Sequence, residues 1–241
     1  MTEFLYLKDC YMKEFEARVT KAEGKLLVLD KTIFYPASGG QLNDIGVITT
    51  NRGKEFSVVN VLKKGDEVIH ELDKECKDDL KELKEGDFVK GKIDWQRRYQ
   101  LMRSHTAAHI ISEVIHEETG ARITGNQLSL ERIRIDFDLE NFDRAKLQGY
   151  IDKANEIVEK GMQIKTYFLA REEAFKNKDL FSPRDVLPPD VKELRIVEIV
   201  GFDIKACGGT HVANTREVGR FEFIDAENKG KSNRRVYFRI E

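Results

Sequence analysis

The chain has 241 residues, 40% hydrophobic and 35% charged, enough for one or two domains with their own cores and too apolar for a disordered chain. The formal net charge is −2, with 16 basic and 18 acidic side chains over residues 1–93 and 25 of each over residues 94–241, so any nucleic-acid contact must be a local patch. No apolar run approaches the roughly 20 residues of a membrane span, Met1–Lys8 lacks a signal-peptide pattern, and Cys10, Cys76 and Cys207 are too few and too scattered for a disulfide framework; a cytoplasmic protein is expected.

Residues 1–93 read as a β-domain. Phe15–Val19 alternates, Ala22–Lys25 supplies a turn, and Leu26–Leu29 follows as a second strand. Phe56–Leu62 and Val68–Leu72 flank Lys63-Lys64-Gly65-Asp66, a hairpin signal, and Phe88–Ile93 is the last strand. Short strands with glycine-containing turns favour a small barrel. Phe34–Gln41 stands apart. Its paired Gly39 and Gly40 suit either a tight turn or a loop whose backbone approaches a ligand.

Residues 94–241 change pattern. Asp94 caps a helix that runs from Trp95 towards Glu118, with a break expected near Ser104 and an exit at Gly120. Ile133, Ile135 and Phe137 alternate with charged residues, so Glu131–Leu139 is a half-buried strand. Asp143 caps a second helix with the stripe Leu147, Ile151, Ala154, Ile157 and Val158, ended by Gly161. Strands follow at Gln163–Leu169 and Leu194–Val200, separated by the proline-rich loop Ser182–Pro189. Val218–Ile224 and Arg234–Ile240 form a closing hairpin around Ala226–Lys231. The fold class is α+β: a small N-terminal β-barrel, then long helices on a mostly antiparallel sheet.

Of the five histidines, two lie in His105-Thr106-Ala107-Ala108-His109. On a helix this i, i+4 spacing puts both imidazoles on one face. Cys207-Gly208-Gly209-Thr210-His211 repeats the offset with a thiolate first. Brought together, the pairs supply three imidazoles and one thiolate, a donor set that selects one zinc ion per chain. Each pair alone is weak, since such spacings arise by chance. His70 and His116 read as ordinary surface or core histidines. A zinc peptidase would carry Glu at position 106, where Thr106 stands. The deaminase order of ligands is absent as well. Glu113, one turn beyond His109, is a candidate general base or else a solvated surface residue.

The motifs HTAAH and CGGTH, preceded by Asp94-x-x-Arg97-Arg98, resemble the editing domain of alanyl-tRNA synthetase. The likeness extends to Arg134–Phe137 and to the Thr210–Gly219 segment. Phe34–Gln41 with Asp44-x-Gly46 resembles the glycine-rich loop of the synthetase's preceding barrel. The chain begins directly in the β-region, so it is identified as a member of the free-standing AlaX editing family, of the medium-length type. The resemblance implies a translation-factor-like barrel and an editing domain shared with threonyl-tRNA synthetases. It implies a zinc-dependent deacylase acting in trans on Ser-tRNA(Ala) and Gly-tRNA(Ala) and sparing Ala-tRNA(Ala). The family's zinc ligands fall on His105, His109, Cys207 and His211. Its specificity residue falls near Thr124, which also suits a plain turn, and Gly39 and Gly40 are placed at the substrate.

For the tRNA, Arg97, Arg98 and Arg103 cluster before the histidine pair, and Lys229, Lys231, Arg234 and Arg235 at the hairpin. Two other readings compete: a non-catalytic tRNA-binding module with a structural zinc, and an unrelated small metallohydrolase.

Overall fold

The computed structural model describes residues 1–73, 83–139, 144–181 and 191–241. Cys76, the Asp143 cap and the loop Ser182–Pro189 lie outside the described residues. The chain divides into two compact units, Met1–Gln100 and Leu101–Glu241.

In the first unit, β1 (Glu3–Phe4) pairs in parallel with β4 (Lys31–Thr32). The remaining strands are β2 (Glu14–Glu23), β3 (Leu26–Leu29), β5 (Gly46–Thr50), β6 (Glu55–Lys64), β7 (Glu67–Leu72) and β8 (Phe88–Ile93). They close a six-stranded barrel in the order β2-β3-β7-β6-β5-β8. Strict alternation along β2 and β8 sends Phe15, Ala17, Val19, Val89 and Ile93 inward, where they meet Leu27, Phe34, Ile48, Phe56 and Val61. The strand β5 was hidden behind the glycine loop in the sequence. It closes the barrel between β6 and β8.

His70, in β7, is fully buried between the Thr32 hydroxyl at 2.8 Å and the Leu27 carbonyl at 3.1 Å. The carbonyl can only accept, so Nδ1 carries the proton and Nε2 accepts from Thr32. This is a core histidine with a full set of partners.

Arg98 was expected on the tRNA. The structure corrects this: neither Arg98 nor Asp44 exposes any side-chain surface. The Arg98 guanidinium pairs with the Asp44 carboxylate and donates to the Cys10 and Ile33 carbonyls. A buried guanidinium without these partners would be costly, and Nε, Nη1 and Nη2 each donate within the first unit.

Helix α1 (Trp95–Thr119) is continuous. Asp94 caps it, its carboxylate accepting the Arg97 N–H at 3.0 Å. The expected break at Ser104 is absent. The Ser104 hydroxyl points to Ser129 O instead of competing for its own helix backbone. Gly120, at φ 72°, ends the helix with its N–H on His116 O.

In the second unit, β9 (Ile123–Leu128) and β10 (Ile133–Phe137) join the hairpin β14 (Phe221–Asn228) and β15 (Arg234–Ile240) in a four-stranded antiparallel sheet ordered β14-β15-β10-β9. A second sheet holds β11 (Ile164–Ala170), β12 (Glu193–Ile199) and β13 (Asp203–Ala206). Helix α2 (Arg144–Lys160) packs on β14, with Leu147, Ile151, Ala154, Ile157 and Val158 buried as the period predicts. A short helix α3 (Arg171–Ala174) covers β11 and β12.

The hairpin begins later than expected. Val218 belongs to a 3-10 turn, Thr215–Val218, entered by an Asn214–Glu217 capping box. No helix among the described residues is long and apolar enough to cross a membrane.

Candidate metal centre

Two segments build the centre. The inner face of α1 presents His105 and His109, whose ring centroids are 5.6 Å apart. After β13 the chain turns through Cys207–His211. There the buried Arg195 of β12 donates to the carbonyls of Cys207 at 2.9 Å and Gly209 at 2.8 Å. Together with the Cys207 N–H on Arg195 O at 3.0 Å, this clamp ties the loop to β12. Gly209 is required by proximity: a Cβ there would stand 2.0 Å from the His105 ring. The glycine lets the loop lie against the imidazole.

The result brings together all four expected ligands. Their donor atoms lie within 4.8 Å of one another, and His105 and His211 are buried. Cys207 Sγ is 3.6 Å from His105 Nε2 and 3.3 Å from His211 Nε2. Tetrahedral zinc with the usual Zn–S and Zn–N bond lengths separates such donors by about 3.5 Å. The geometry and chemistry of the set therefore fit that ion.

The imidazoles are oriented from behind. His109 Nδ1 lies 2.8 Å from Asp203 Oδ2, and His211 Nδ1 lies 3.1 Å from the Thr106 hydroxyl. In both rings Nε2 is left for the cluster. Neither partner was found from sequence. Thr106 was noted only for not being Glu. Asp203 lies on a short strand with no spacing signal to connect it to His109.

The electrostatics favour a thiolate with positive charge gathered around it. Burial acts to raise the Cys207 thiol, but His105 and His211 outweigh it and hold the thiol well below its ordinary value. Burial, with His105 beside it, pushes His211 down to about 3. Burial also opposes charge on His109, yet hydrogen bonds to Asp203 and Cys207 prevail and raise it to about 10. The thiolate and carboxylate thus draw positive charge to this point.

The remaining candidates separate. The Glu113 carboxylate is 3.3 Å from Lys205 Nζ, which is 3.2 Å from Asp203 Oδ1. The Glu113 carboxylate is therefore ion-paired and largely enclosed rather than solvated helix surface. Thr124 lies within β9 rather than in a plain turn, and its hydroxyl is 3.3 Å from Asn233 Oδ1. Gly39 and Gly40, at φ 56° and 84°, form a two-residue turn closed by Ser38 and Gln41.

Among the basic residues, Arg97 donates to Asn43 O and Arg103 to Val218 O and Glu241 O. Lys229 pairs with Glu227, Arg235 grips Asp136 at 2.7 and 2.9 Å, and Lys231 is exposed. Arg234 is corrected: it is buried and its guanidinium binds Asn228 Oδ1 and the carbonyls of Gly230, Lys231 and Asn233. It organises the hairpin loop and does not face a phosphate. His116 Nδ1 donates to Ala121 O, an ordinary helix-end contact.

Residues 3–97 match the family of class II (A) tRNA synthetases, and residues 194–237 match the threonyl and alanyl tRNA synthetase second additional domain. The chain is 49% identical to the alanyl-tRNA editing protein AlaX-M of Methanosarcina barkeri, over 100% of this chain and 99% of that protein. It is 44% identical to the AlaX-M of Saccharolobus solfataricus over the full length of both. It is 37% identical to the alanine–tRNA ligase of Metallosphaera sedula, over 94% of this chain and 25% of the ligase. With full-length likeness at this level and the four-donor cluster in place, the chain belongs to the AlaX-M family of alanyl-tRNA editing proteins.

Proposed function

We propose that this protein is a zinc-dependent aminoacyl-tRNA deacylase of the cytoplasm that hydrolyses Ser-tRNA(Ala) and Gly-tRNA(Ala) in trans and spares Ala-tRNA(Ala). The observation that carries the reading is the convergence of His105, His109, Cys207 and His211 in a chain of the AlaX-M family. On this reading residues 94–241 are the editing domain and residues 1–93 a translation-factor-like barrel.

The chemical need is plain. A synthetase pocket for alanine rejects serine weakly, because serine only adds a hydroxyl, and glycine weakly, because one methyl is worth ~1 kcal/mol. A second site must remove the error. A zinc ion held by the four donors would supply Lewis-acid polarisation or anchor the substrate. The chain's own part is to keep Cys207 as thiolate, to present Nε2 of each imidazole, and to hold the loop with Arg195. Thr124 is assigned to the serine hydroxyl and Gly39 with Gly40 to the substrate's approach. Arg97, Arg103, Lys229, Lys231 and Arg235 remain the phosphate contacts of this proposal, their present partners being exchanged for phosphate.

The test is deacylation of Ser-, Gly- and Ala-tRNA(Ala) with and without a chelator, beside elemental analysis of wild-type and Cys207→Ala protein. Expected are about one zinc per chain, most of it lost in Cys207→Ala, and chelator-sensitive hydrolysis of the two mischarged species. Zinc binding with no hydrolysis would favour the alternative of a tRNA-binding module with a structural ion.

A further inference from the structure

Behind the ligand cluster, three charged side chains form a line that no ligand motif contains. Asp203 Oδ2 lies 2.8 Å from His109 Nδ1, Asp203 Oδ1 lies 3.2 Å from Lys205 Nζ, and Lys205 Nζ lies 3.3 Å from Glu113 Oε2. The Asp203 side chain is 1% exposed and Glu113 17%. Asp203 and Lys205 stand on the same side of β13, two residues apart, and Glu113 is one turn beyond His109 on α1. The line therefore ties the strand to the helix that carries two of the four donors.

A buried carboxylate is costly unless its charge is met. Here Lys205 meets it on one oxygen and the His109 N–H on the other. That leaves the His109 ring with one tautomer and one orientation. A histidine on a helix surface otherwise has a broad choice of ring angle. We propose that Asp203 is a positioning residue for the metal centre, acting through His109, and that Lys205, braced by Glu113, holds Asp203 in place. The proposal rests on reading the four donors as a metal centre. It adds that the affinity of the centre is set from outside the ligand motifs.

The experiment is zinc affinity by competition with a chromogenic chelator, on the full chain, for wild-type, Asp203→Asn and Asp203→Ala proteins and for each change combined with His109→Ala. Thermal melts in chelator report folding without metal. Loss of the carboxylate should weaken zinc binding about 10- to 100-fold, with melts in chelator close to wild type for Asp203→Asn. In the His109→Ala background the further loss should be small, because the route is already cut. Lys205→Met should lose affinity in the same direction and to a lesser degree. Undiminished affinity in a folded Asp203→Asn protein overturns the positioning role. So does an equal loss in both backgrounds, which would make Asp203 a general support of the fold. If Asp203→Ala does not fold, Asp203→Asn and its combination with His109→Ala decide the question. A wild-type protein that takes up no zinc overturns the metal reading itself, and this proposal with it.

Discussion

Arg98 and Asp44 are 54 residues apart in the chain and form an ion pair from which water is excluded on both sides. Asp44 also accepts the Tyr35 N–H at 2.7 Å, at the root of the loop that carries Gly39 and Gly40. The pair therefore links the first turn of α1 to that loop through one carboxylate.

Removing one member strands the other. Arg98→Met keeps most of the volume and leaves Asp44 uncompensated, a loss of about 3–5 kcal/mol. Arg98→Met with Asp44→Asn should cost less than the two single changes together. Urea titrations followed by the single tryptophan, Trp95, which packs against the barrel core, would measure this. Strictly additive losses would mean that the pair is not coupled.

A second expectation concerns the glycine turn. A Cβ at Gly39 would meet nothing within 4 Å, so alanine there strains only the backbone, by about 1–2 kcal/mol. The Gly39→Ala, Gly40→Ala double variant should fold and show an altered rate or substrate preference per folded molecule. A lowered melting temperature with unchanged activity per folded molecule would reduce the loop to a turn.

The third concerns selectivity. Thr124→Val keeps the shape of the side chain and removes its hydroxyl. Hydrolysis of Ser-tRNA(Ala) should fall by a factor of about 10 or more, from ~1–3 kcal/mol for an unmet polar partner. Hydrolysis of Ala-tRNA(Ala) should hold or rise. The ratio of the two rate constants is the quantity to measure, and an unchanged ratio in folded protein would move the serine contact to another residue.

The fourth is a pH dependence in the first unit. Burial lowers His70 from 6.5 to about 4. Between those values the unfolded chain binds more protons than the folded one. Stability should therefore fall as pH drops from about 6.5 to about 4 and then level off, with a ceiling near ~3 kcal/mol. Urea midpoints across that window should show the slope in wild type and a flatter one in His70→Gln. An equal slope in the variant would assign the dependence to other groups.

Much of this was legible in the chain because periodic patterns and caps act locally. The α2 stripe, the Asp94 cap, the barrel hairpins and both ligand pairs needed only neighbours in sequence. What escaped was decided across distance. Ile123–Leu128, with Gly125, Asn126 and Gln127, has weak strand propensity and becomes β9 by pairing with β10. Asp203–Ala206 is four residues long and half charged, and it is a strand because β12 lies beside it. Arg98 and Arg234 read as surface charge until the fold enclosed them. Arg195, Thr106 and Asp203 support the centre through tertiary contacts that leave no spacing in the sequence.

The two ligand pairs stand roughly a hundred residues apart in the chain, and this orders events during synthesis. When His105 and His109 leave the ribosome, Cys207 and His211 have not yet been made. At ordinary elongation rates the wait is on the order of 10 seconds. Two exposed imidazoles on a nascent helix hold a cation weakly, and the thiolate that gives the set its preference arrives last. Closing so long a loop costs entropy that only the assembled second unit recovers. A complete four-donor site is thus a product of finished folding, and a chain cut short before Cys207 keeps only the first pair.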